Sequence, residues 1–377
     1  MFAIVSVTND LTTDQRVDRT CRTLVKTGVD ILLVGRKRKN SLPVRTRGYL
    51  MHRMRLLFEK GPLFYAEYNI RLFLFLLIHK ADLFVSNDLD ALPANWLAHR
   101  LLRLMRGNRA PKLVHDCHEY FRGVPELVGR KITTSIWKWL EDQTFPGLKT
   151  IYAVNDSIAG LYSKEYGKTI QVVRNFPDKK QLSGAKDRSS LGIRPEQKII
   201  LYQGAVNVDR GLEEAVEAMQ YIRNDAILLI LGNGDIFDNL KELIAKTGLE
   251  KKVLLPGAIP LESLHSYTLL GDIGLSIEKN VCINYFYALP NKFLDYIQAN
   301  IPVLISPFPE MKAIVDQYKI GEFIDNHDPF NLATRFDQML EDPFRLNLYR
   351  KNLMNAAKDL CWENEEKKLI RIFSEIL

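Results

Sequence analysis

"KIILYQGAVNVDRGLEEAVEAM", residues 198–219, is the stretch that decides the fold. An apolar run enters Gly204, and after a short polar loop containing Arg210 and Gly211 the apolar positions switch to helical spacing. Strand, glycine turn and helix in that order make up one half of a βαβ unit. The pattern recurs downstream at "AILLILG" (226–232), "KVLLPG" (252–257), "DIGLSI" (272–277) and "IPVLIS" (301–306). An earlier series runs through "FAIVSV" (2–7), "DILLVG" (30–35), "ADLFVS" (81–86), "KLVHD" (112–116) and "TIYAV" (150–154). Short Val- and Ile-rich runs alternating with amphipathic stretches indicate parallel sheets with crossover helices. The expected fold class is α/β, with two Rossmann-like doubly wound domains.

A chain of 377 residues exceeds one ordinary core, so two domains are expected on size alone. The boundary falls in "RNFPDKKQLSGAKDRSSLGIRPEQ" (174–197), where Pro, Gly, Ser and charge replace apolar periodicity. The expected division is a first domain over 1–177, a linker over 178–195 and a second domain over 196–360. The remainder, 361–377, reads as a helix that packs back on the first domain. Ligands of open α/β sheets bind at the carboxyl ends of the strands, so two such domains are expected to face a central cleft lined by strand-to-helix loops.

Composition narrows the partners. The first 180 residues hold 30 Lys and Arg against 17 Asp and Glu, an excess of +13, and the rest hold 22 against 28, or −6. Much of the excess lies in "GRKRKN" (35–40), "RTR" (45–47), "HRMR" (52–55) and Arg100, Arg103, Arg106 and Arg109. Such a face suits anionic lipid headgroups, a phosphorylated substrate or nucleic acid, or is simply solvated. Nucleic acid is the weakest of these, because no aromatic residues interleave with the arginines on a recognisable platform. The apolar run "LFLFLLI" (72–78) is far short of the roughly 20 residues that span a bilayer and reads as a buried helix. Cys21, Cys117, Cys282 and Cys361 are widely spaced, which suggests reduced thiols. "MFAIVSVTND" turns polar before an apolar signal region can form, so the expected location is cytoplasmic, with a peripheral site at the inner face of the membrane as the further option.

Four loops of the second half offer chemistry. The turn at Gly204 and Arg210 presents backbone N–H groups, a helix N-terminus and a bidentate donor, which together suit an anion. "ILGNGD" (230–235), with Gly232 and Gly234, is either a second such turn or a plain tight turn. In "YFYALPNKFLDYIQANIPVLIS" (285–306), Lys292 and Asp295 share a helix face just after Pro290, where a cation can meet phosphate and a carboxylate can accept from ribose. A surface ion pair is the alternative for these two. "PGAIP" (256–260) places small residues, Gly257 and Ala258, where a flat base can lie.

This set of loops resembles the retaining GT-B glycosyltransferases, the family 4-like "glycosyl transferases group 1". "PNKFLDYIQANIPVLIS" is similar to the family's P-x-K-x-x-E-Y-x-A-x-G-x-P-V, and "TTDQRVDRTCRTLVKTG" (12–28), with Asp14 and Arg16, to its opening helix. Three positions depart from the pattern. Tyr287 stands where the first of two paired glutamates would be, Ala205 where an arginine would follow the glycine, and "TNDLTTDQ" (8–15) lacks the paired glycines. The resemblance implies transfer of a sugar from a nucleoside-diphosphate sugar to a hydroxyl, with retention and without a metal or other cofactor. Cell-surface polysaccharide or glycolipid synthesis is the implied setting, with a lipid-linked or polysaccharide acceptor. It assigns Arg210 and Lys292 to the diphosphate, Asp295 to the ribose, Gly257 and Ala258 to the base, and His118 to the transferred sugar. Asp14, Arg16, Asp88, Glu119 and Asn155 are then expected around the acceptor. A nucleotide-sugar 2-epimerase of the same fold and a non-catalytic nucleotide-sugar binder are the alternative readings.

"HDCHEYF" (115–121) looks like a metal site but fails on strand geometry. Side chains alternate, so His115 and Cys117 point away from Asp116 and His118, and no further ligands complete a shell. His118 and Glu119 are expected at the strand end, the imidazole donating to a sugar hydroxyl or phosphate. In "NDLDALP" (87–93), Asp88 reads as a helix cap or as part of the cleft lining, rather than as half of a metal pair with Asp90.

Overall fold

The computed structural model describes residues 1–12 and 14–376; Thr13, which falls in the stretch 8–15 singled out above, and Leu377 lie outside the described residues. Two compact units emerge, one comprising Met1–Asn175 and Asn364–Leu377, the other Phe176–Glu363.

The first unit runs β1 (Phe2–Asp10), α1 (Gln15–Lys26), β2 (Asp30–Lys37), β3 (Leu50–Arg55), α2 (Gly61–Ile78), β4 (Leu83–Asn87) and α3 (Asp88–Arg106). It continues through β5 (Lys112–Cys117), α4 (Lys131–Thr144), β6 (Thr150–Ala153), α5 (Asp156–Tyr166) and β7 (Gln171–Val172). All seven strands are parallel in the order β3-β2-β1-β4-β5-β6-β7. Chain order reverses between β1 and β4, which is where an open α/β sheet forms its crevice. Ile4 lies opposite Phe84 across this pair, and both are fully buried. β3 and β7 went unread in the sequence: the first is a basic edge strand, "LMHRMR", and the second is only two residues long.

The second unit runs β8 (Lys198–Gln203), α6 (Leu212–Ala218), β9 (Ala226–Leu231), α7 (Phe237–Thr247), β10 (Val253–Gly257), α8 (Leu261–Thr268) and β11 (Ile273–Ser276). Then follow α9 (Ile283–Phe286), α10 (Asn291–Gln298), β12 (Val303–Ile305), α11 (Pro309–Tyr318), β13 (Gly321–Phe323), α12 (Pro329–Leu340) and α13 (Pro343–Asp359). Its order, β10-β9-β8-β11-β12-β13, repeats the plan of the first sheet with one strand fewer, so its switch point lies between β8 and β11. β9 is buried along its whole length, because helices cover both faces of a parallel sheet.

Two expectations need correction. Residues 178–195, expected as a linker, belong to the second unit: Phe176 just before them and Ile193 among them join its core, and Arg188 donates to the Pro195, Gln197 and Leu270 carbonyls. Pro, Gly and Ser marked irregular backbone there, but two apolar anchors tie it down. The run 72–78 belongs to an 18-residue helix, α2, long and apolar enough by length and composition to cross a membrane. One stripe, Phe64, Tyr68, Leu72 and Leu76, is buried, and the Tyr68 hydroxyl donates to the Val7 carbonyl at 2.7 Å. Leu63, Ile70, Leu74 and Ile78 face outward, so the helix is half-buried rather than buried.

The last helix, α14 (Trp362–Ser374), belongs from Asn364 onward to the first unit. There Glu366 accepts from Thr23 and Lys26, Glu365 accepts from the Arg174 N–H, and the Phe373 ring meets Tyr152 edge-on.

Candidate active site

At the switch point of the first unit, β5 ends in Asp116 and Cys117, and the chain turns so that His118 lies beside the start of α3. Both ring nitrogens of His118 meet carboxylates: Nδ1 lies 3.3 Å from Asp88 Oδ2, and Nε2 lies 3.2 Å from Asp116 Oδ2. A neutral imidazole has one N–H, so only the doubly protonated ring satisfies both partners. Burial lowers the pKa of His118, but the Asp88 and Asp116 charges outweigh it and push the value up to about 9. The expected donation from a ring nitrogen to a sugar hydroxyl is therefore not what the structure offers. His118 contributes a fixed positive charge, and its ring nitrogens are occupied.

Asp116 is the hub. It is fully buried and takes the Arg16 guanidinium through Nε at 3.0 and 3.1 Å and through a terminal nitrogen at 2.6 Å; the other terminal nitrogen donates to the Val173 carbonyl. Despite burial, Arg16 and His118 hold the Asp116 carboxyl well below the usual carboxylate range. Arg16, expected near the acceptor, is thus spent on a buried ion pair.

Asp88 begins α3 but does not cap it; with a positive φ of 59° it turns its carboxylate back to accept from the His118 N–H at 2.8 Å and to face the His118 ring. Burial raises its pKa to about 6 against the pull of His118. Burial and the Asp88 charge raise Asp90 to about 7; one oxygen accepts from Thr8 and the other is buried with no partner among the described residues. Burial, followed by Asp88 and Asp90, lifts Glu119 to about 8, so this carboxyl carries its proton at neutral pH and can donate.

The remaining expected residues of this unit are structural. Asp14 caps α1 by accepting from the Val17 N–H, and Asn155 is buried and caps α5 by accepting from the Ile158 N–H. His115 and Cys117 are buried in β5, and the His115 ring packs edge-on against Phe145. Among the described residues, no three His, Cys, Asp or Glu side chains converge as a metal-binding group.

At the switch point of the second unit the charge pattern inverts. Glu278, two residues past β11, is fully buried and lies 2.5 Å from Lys292 Nζ and 3.4 Å from Arg210. Despite burial, these two cations hold its carboxyl below its ordinary value, and despite burial Glu278 keeps the Lys292 pKa raised. Lys292 Nζ also sits 4.5 Å from the Tyr202 ring centroid, and the Arg210 guanidinium lies 4.2 Å over Tyr285. Arg210 Nε is buried with no hydrogen-bond partner among the described residues. Two cations share one carboxylate, which leaves one net positive charge at the carboxyl end of the sheet.

Lys292 and Asp295 share the first turns of α10, but they do not pair with each other. Asp295 accepts from Lys180 at 2.7 Å and from Gln203 at 3.0 Å, and Gln203 is itself held by Thr268. The glycine turns have a packing cause. The Gly204 N–H donates to the Leu231 carbonyl and the Gly232 N–H to the Gly257 carbonyl, so three successive loops lie backbone on backbone. A Cβ at position 232 would sit 1.8 Å from the Gly204 carbonyl oxygen, and one at 234 would sit 2.2 Å from Asn207 Oδ1. Gly257 has a φ of 90°, a Cβ there would lie 3.9 Å from the Phe237 ring, and Ala258 beside it is exposed.

Sequence reasoning singled out Arg210, Lys292, Asp295 and His118 but not the side chains they meet in the structure, Glu278, Gln203, Lys180 and Asp116. One signal was available for Glu278: in "SIEK" it has the same strand parity as Ser276, whose hydroxyl donates to it.

Comparison with known proteins agrees on both halves. The profile described as Glycosyltransferase Family 4 matches residues 14–181, and Glycosyl transferases group 1 matches residues 184–360. An uncharacterised glycosyltransferase of Methanocaldococcus jannaschii is 24% identical over 189 residues, 49% of this chain and 47% of that protein. The chain spans about half the length of the curated relatives it matches. Among solved structures, sucrose-phosphate synthase from Thermosynechococcus elongatus superposes with a TM-score of 0.79 at 16% identity, over 100% of this chain and 99% of that one. Anabaena HepE in complex with UDP-glucose gives 0.74 at 13% identity, with full coverage of both chains. With matching profiles over both units and the fold of GT-B enzymes throughout, the chain belongs to the group 1, family 4 glycosyltransferases.

Proposed function

We propose that the chain transfers a sugar from a nucleoside-diphosphate sugar to a hydroxyl acceptor, with retention at the anomeric carbon. The observation that carries this reading is the Arg210–Glu278–Lys292 group at the β8/β11 switch point. When the glycosidic bond breaks, negative charge grows on the leaving diphosphate. A preorganised cationic pair stabilises that charge without reorganising at the moment of reaction. Arg210 and Lys292 serve this purpose, Glu278 fixes their geometry, and Asp295 takes the ribose hydroxyls in exchange for Lys180. On this chemistry no divalent metal is required. In the first unit, His118 supplies positive charge toward the transferred sugar, and protonated Glu119 is a hydroxyl partner for the acceptor. The basic balance of the first 180 residues supports an acceptor on a cell-surface polysaccharide or glycolipid.

The fold relative bound to UDP-glucose makes that donor the first of the panel to test, followed by other UDP- and GDP-sugars. Nucleotide release with added acceptor is expected from the unaltered protein and falls about 100-fold or more in Arg210→Ala and Lys292→Ala. Calorimetry on the same variants shows weaker nucleotide binding, and Lys292→Arg, which keeps the charge, recovers part of it. Unchanged turnover in both alanine variants would sink the assignment. Incubation without acceptor separates the epimerase reading, which predicts an epimerised nucleotide sugar.

A further inference from the structure

Core packing uses one side of each helix, yet α2, α3 and α4 of the first unit each carry a second apolar stripe on the outside. In α3 the buried side runs through Ala91, Asn95, Ala98 and Leu102. Leu97, Leu101 and Leu104 recur at i, i+4 and i+7 on the outer side, and Leu104 is 85% exposed. Trp96, Arg100 and Arg103 run alongside at the same spacing, with the Arg100 guanidinium 4.7 Å over the Trp96 ring. α4 repeats the arrangement: Trp137, Glu141 and Thr144 are buried, whereas Ile132, Ile136 and Trp139 are exposed, Ile132 at 80%. α2 adds outward Leu63, Ile70 and Leu74. The helices are neighbours, α2 packing on α3 and α3 on α4.

A hollow of about 600 Å³ between α3 and the end of α4 is lined by Trp96, Arg100, Leu104 and Gln143. Beside it lies a second hollow of about 400 Å³, which shares His99 and Arg103 and adds Lys112 and Lys149. Scattered exposed leucines are ordinary, but apolar stripes on three neighbouring helices, that of α3 bordered by arginines, are not. The acidic residues of α3 are confined to its first turn, Asp88 and Asp90, so its outer face is purely cationic and apolar. Leu and Trp beside Arg on the exposed face of a helix form the pattern that enters the boundary between lipid headgroups and acyl chains. A two-fold contact with a second copy would set the arginine stripe against itself.

We propose that the outer face of α3 and α4 docks the first unit on an anionic phospholipid surface. Leu97, Leu101, Leu104 and Trp139 enter the headgroup boundary, and Arg100 and Arg103 pair with lipid phosphates, the adjoining basic hollow accepting a headgroup. Vesicle binding needs no sugar donor, so its outcome is separable from whether the second unit turns over a nucleotide sugar.

The test is co-sedimentation of the full chain with phosphatidylcholine vesicles, with and without phosphatidylglycerol. Binding to the mixed vesicles alone is expected, and it weakens as salt rises. Arg100→Glu with Arg103→Glu lowers partitioning at least about tenfold, since each cation near an anionic surface contributes several-fold. Leu104→Ser with Trp139→Ser lowers it comparably; these side chains are exposed, so thermal melting should not move. Failure to bind the mixed vesicles overturns the proposal, as does binding that all four substitutions leave intact. Self-association in solution that the same substitutions abolish, without vesicle binding, assigns the face to a second copy and also overturns it.

Discussion

The two units share one sheet plan but charge their switch points in opposite senses. The first 180 residues are basic overall, yet the end of β4 and β5 gathers Asp88, Asp90, Asp116 and Glu119 around one imidazolium and one guanidinium. The rest of the chain is acidic overall, yet the end of β8 and β11 gathers Arg210 and Lys292 around one glutamate. Bulk charge therefore says little about a site; the few side chains placed where strand order reverses set its chemistry. The first arrangement is rich in proton donors and acceptors, as hydroxyl recognition requires, and the second is suited to an anion.

The largest expected effect comes from breaking the hub of the acidic site. Asp116→Asn leaves the buried Arg16 guanidinium and the His118 ring without their shared counter-charge. Loss of one partner from a buried pair costs about 3–5 kcal/mol. Urea denaturation followed by circular dichroism reads this cost, and a loss below about 1 kcal/mol would show that the pair is not the keystone described here.

The comparison sharpens with pH. The folded pKa of His118, about 9, lies above the value of about 6.5 for a free histidine. The folded state therefore holds its proton more tightly, and the resulting stability is fully present below pH 6.5 and lost as pH rises through 9. The unaltered protein should exceed His118→Gln by on the order of 3 kcal/mol at pH 6, a margin that shrinks steadily to pH 9.5. A margin that does not change with pH would mean that Asp88, Asp116 and Arg16, the charged groups facing the ring, do not hold it as a cation.

Much of the fold was legible because buried parallel strands must be continuous Val, Ile and Leu runs; β8 and β9 could hardly be read otherwise. Edge strands escape this rule, which is why β3, half exposed and basic, registered only as part of the charge excess and not as a strand. The candidate site was legible only in part, for a different reason. Arg210, Lys292 and His118 each follow a recognisable strand end or helix start. Their counter-charges are set by packing: Arg16 and Asp116 lie 100 residues apart, and Arg210 and Glu278 lie 68 apart. No spacing rule connects such pairs. The glycine turn at 232–234 was noticed but only half explained, because contact between two loops cannot be seen from either loop alone.

That contact gives the next prediction. Gly232→Ala forces a methyl group into the Gly204 carbonyl and should destabilise the second unit by about 1–3 kcal/mol. Gly248→Ala, at a positive φ of 68° with nothing near, carries backbone strain only and should cost less. Equal losses in denaturation experiments would remove close packing as the reason for the glycine. The smallest effect concerns Lys180, whose half-exposed pair with Asp295 should contribute about 0.2–1 kcal/mol. If ribose displaces it, Lys180→Met tightens nucleotide binding by up to about fivefold in calorimetry. Weaker binding would make Lys180 a direct ligand of the nucleotide.

The course of α14 bears on synthesis. Residues that complete the first unit, among them Glu365, Glu366 and Phe373, leave the ribosome only after the whole second unit has been made. Until then Tyr152 lacks its edge-on partner, and the Arg174 N–H lacks its acceptor. Although domains generally fold in the order they are translated, here the unit begun first is finished last.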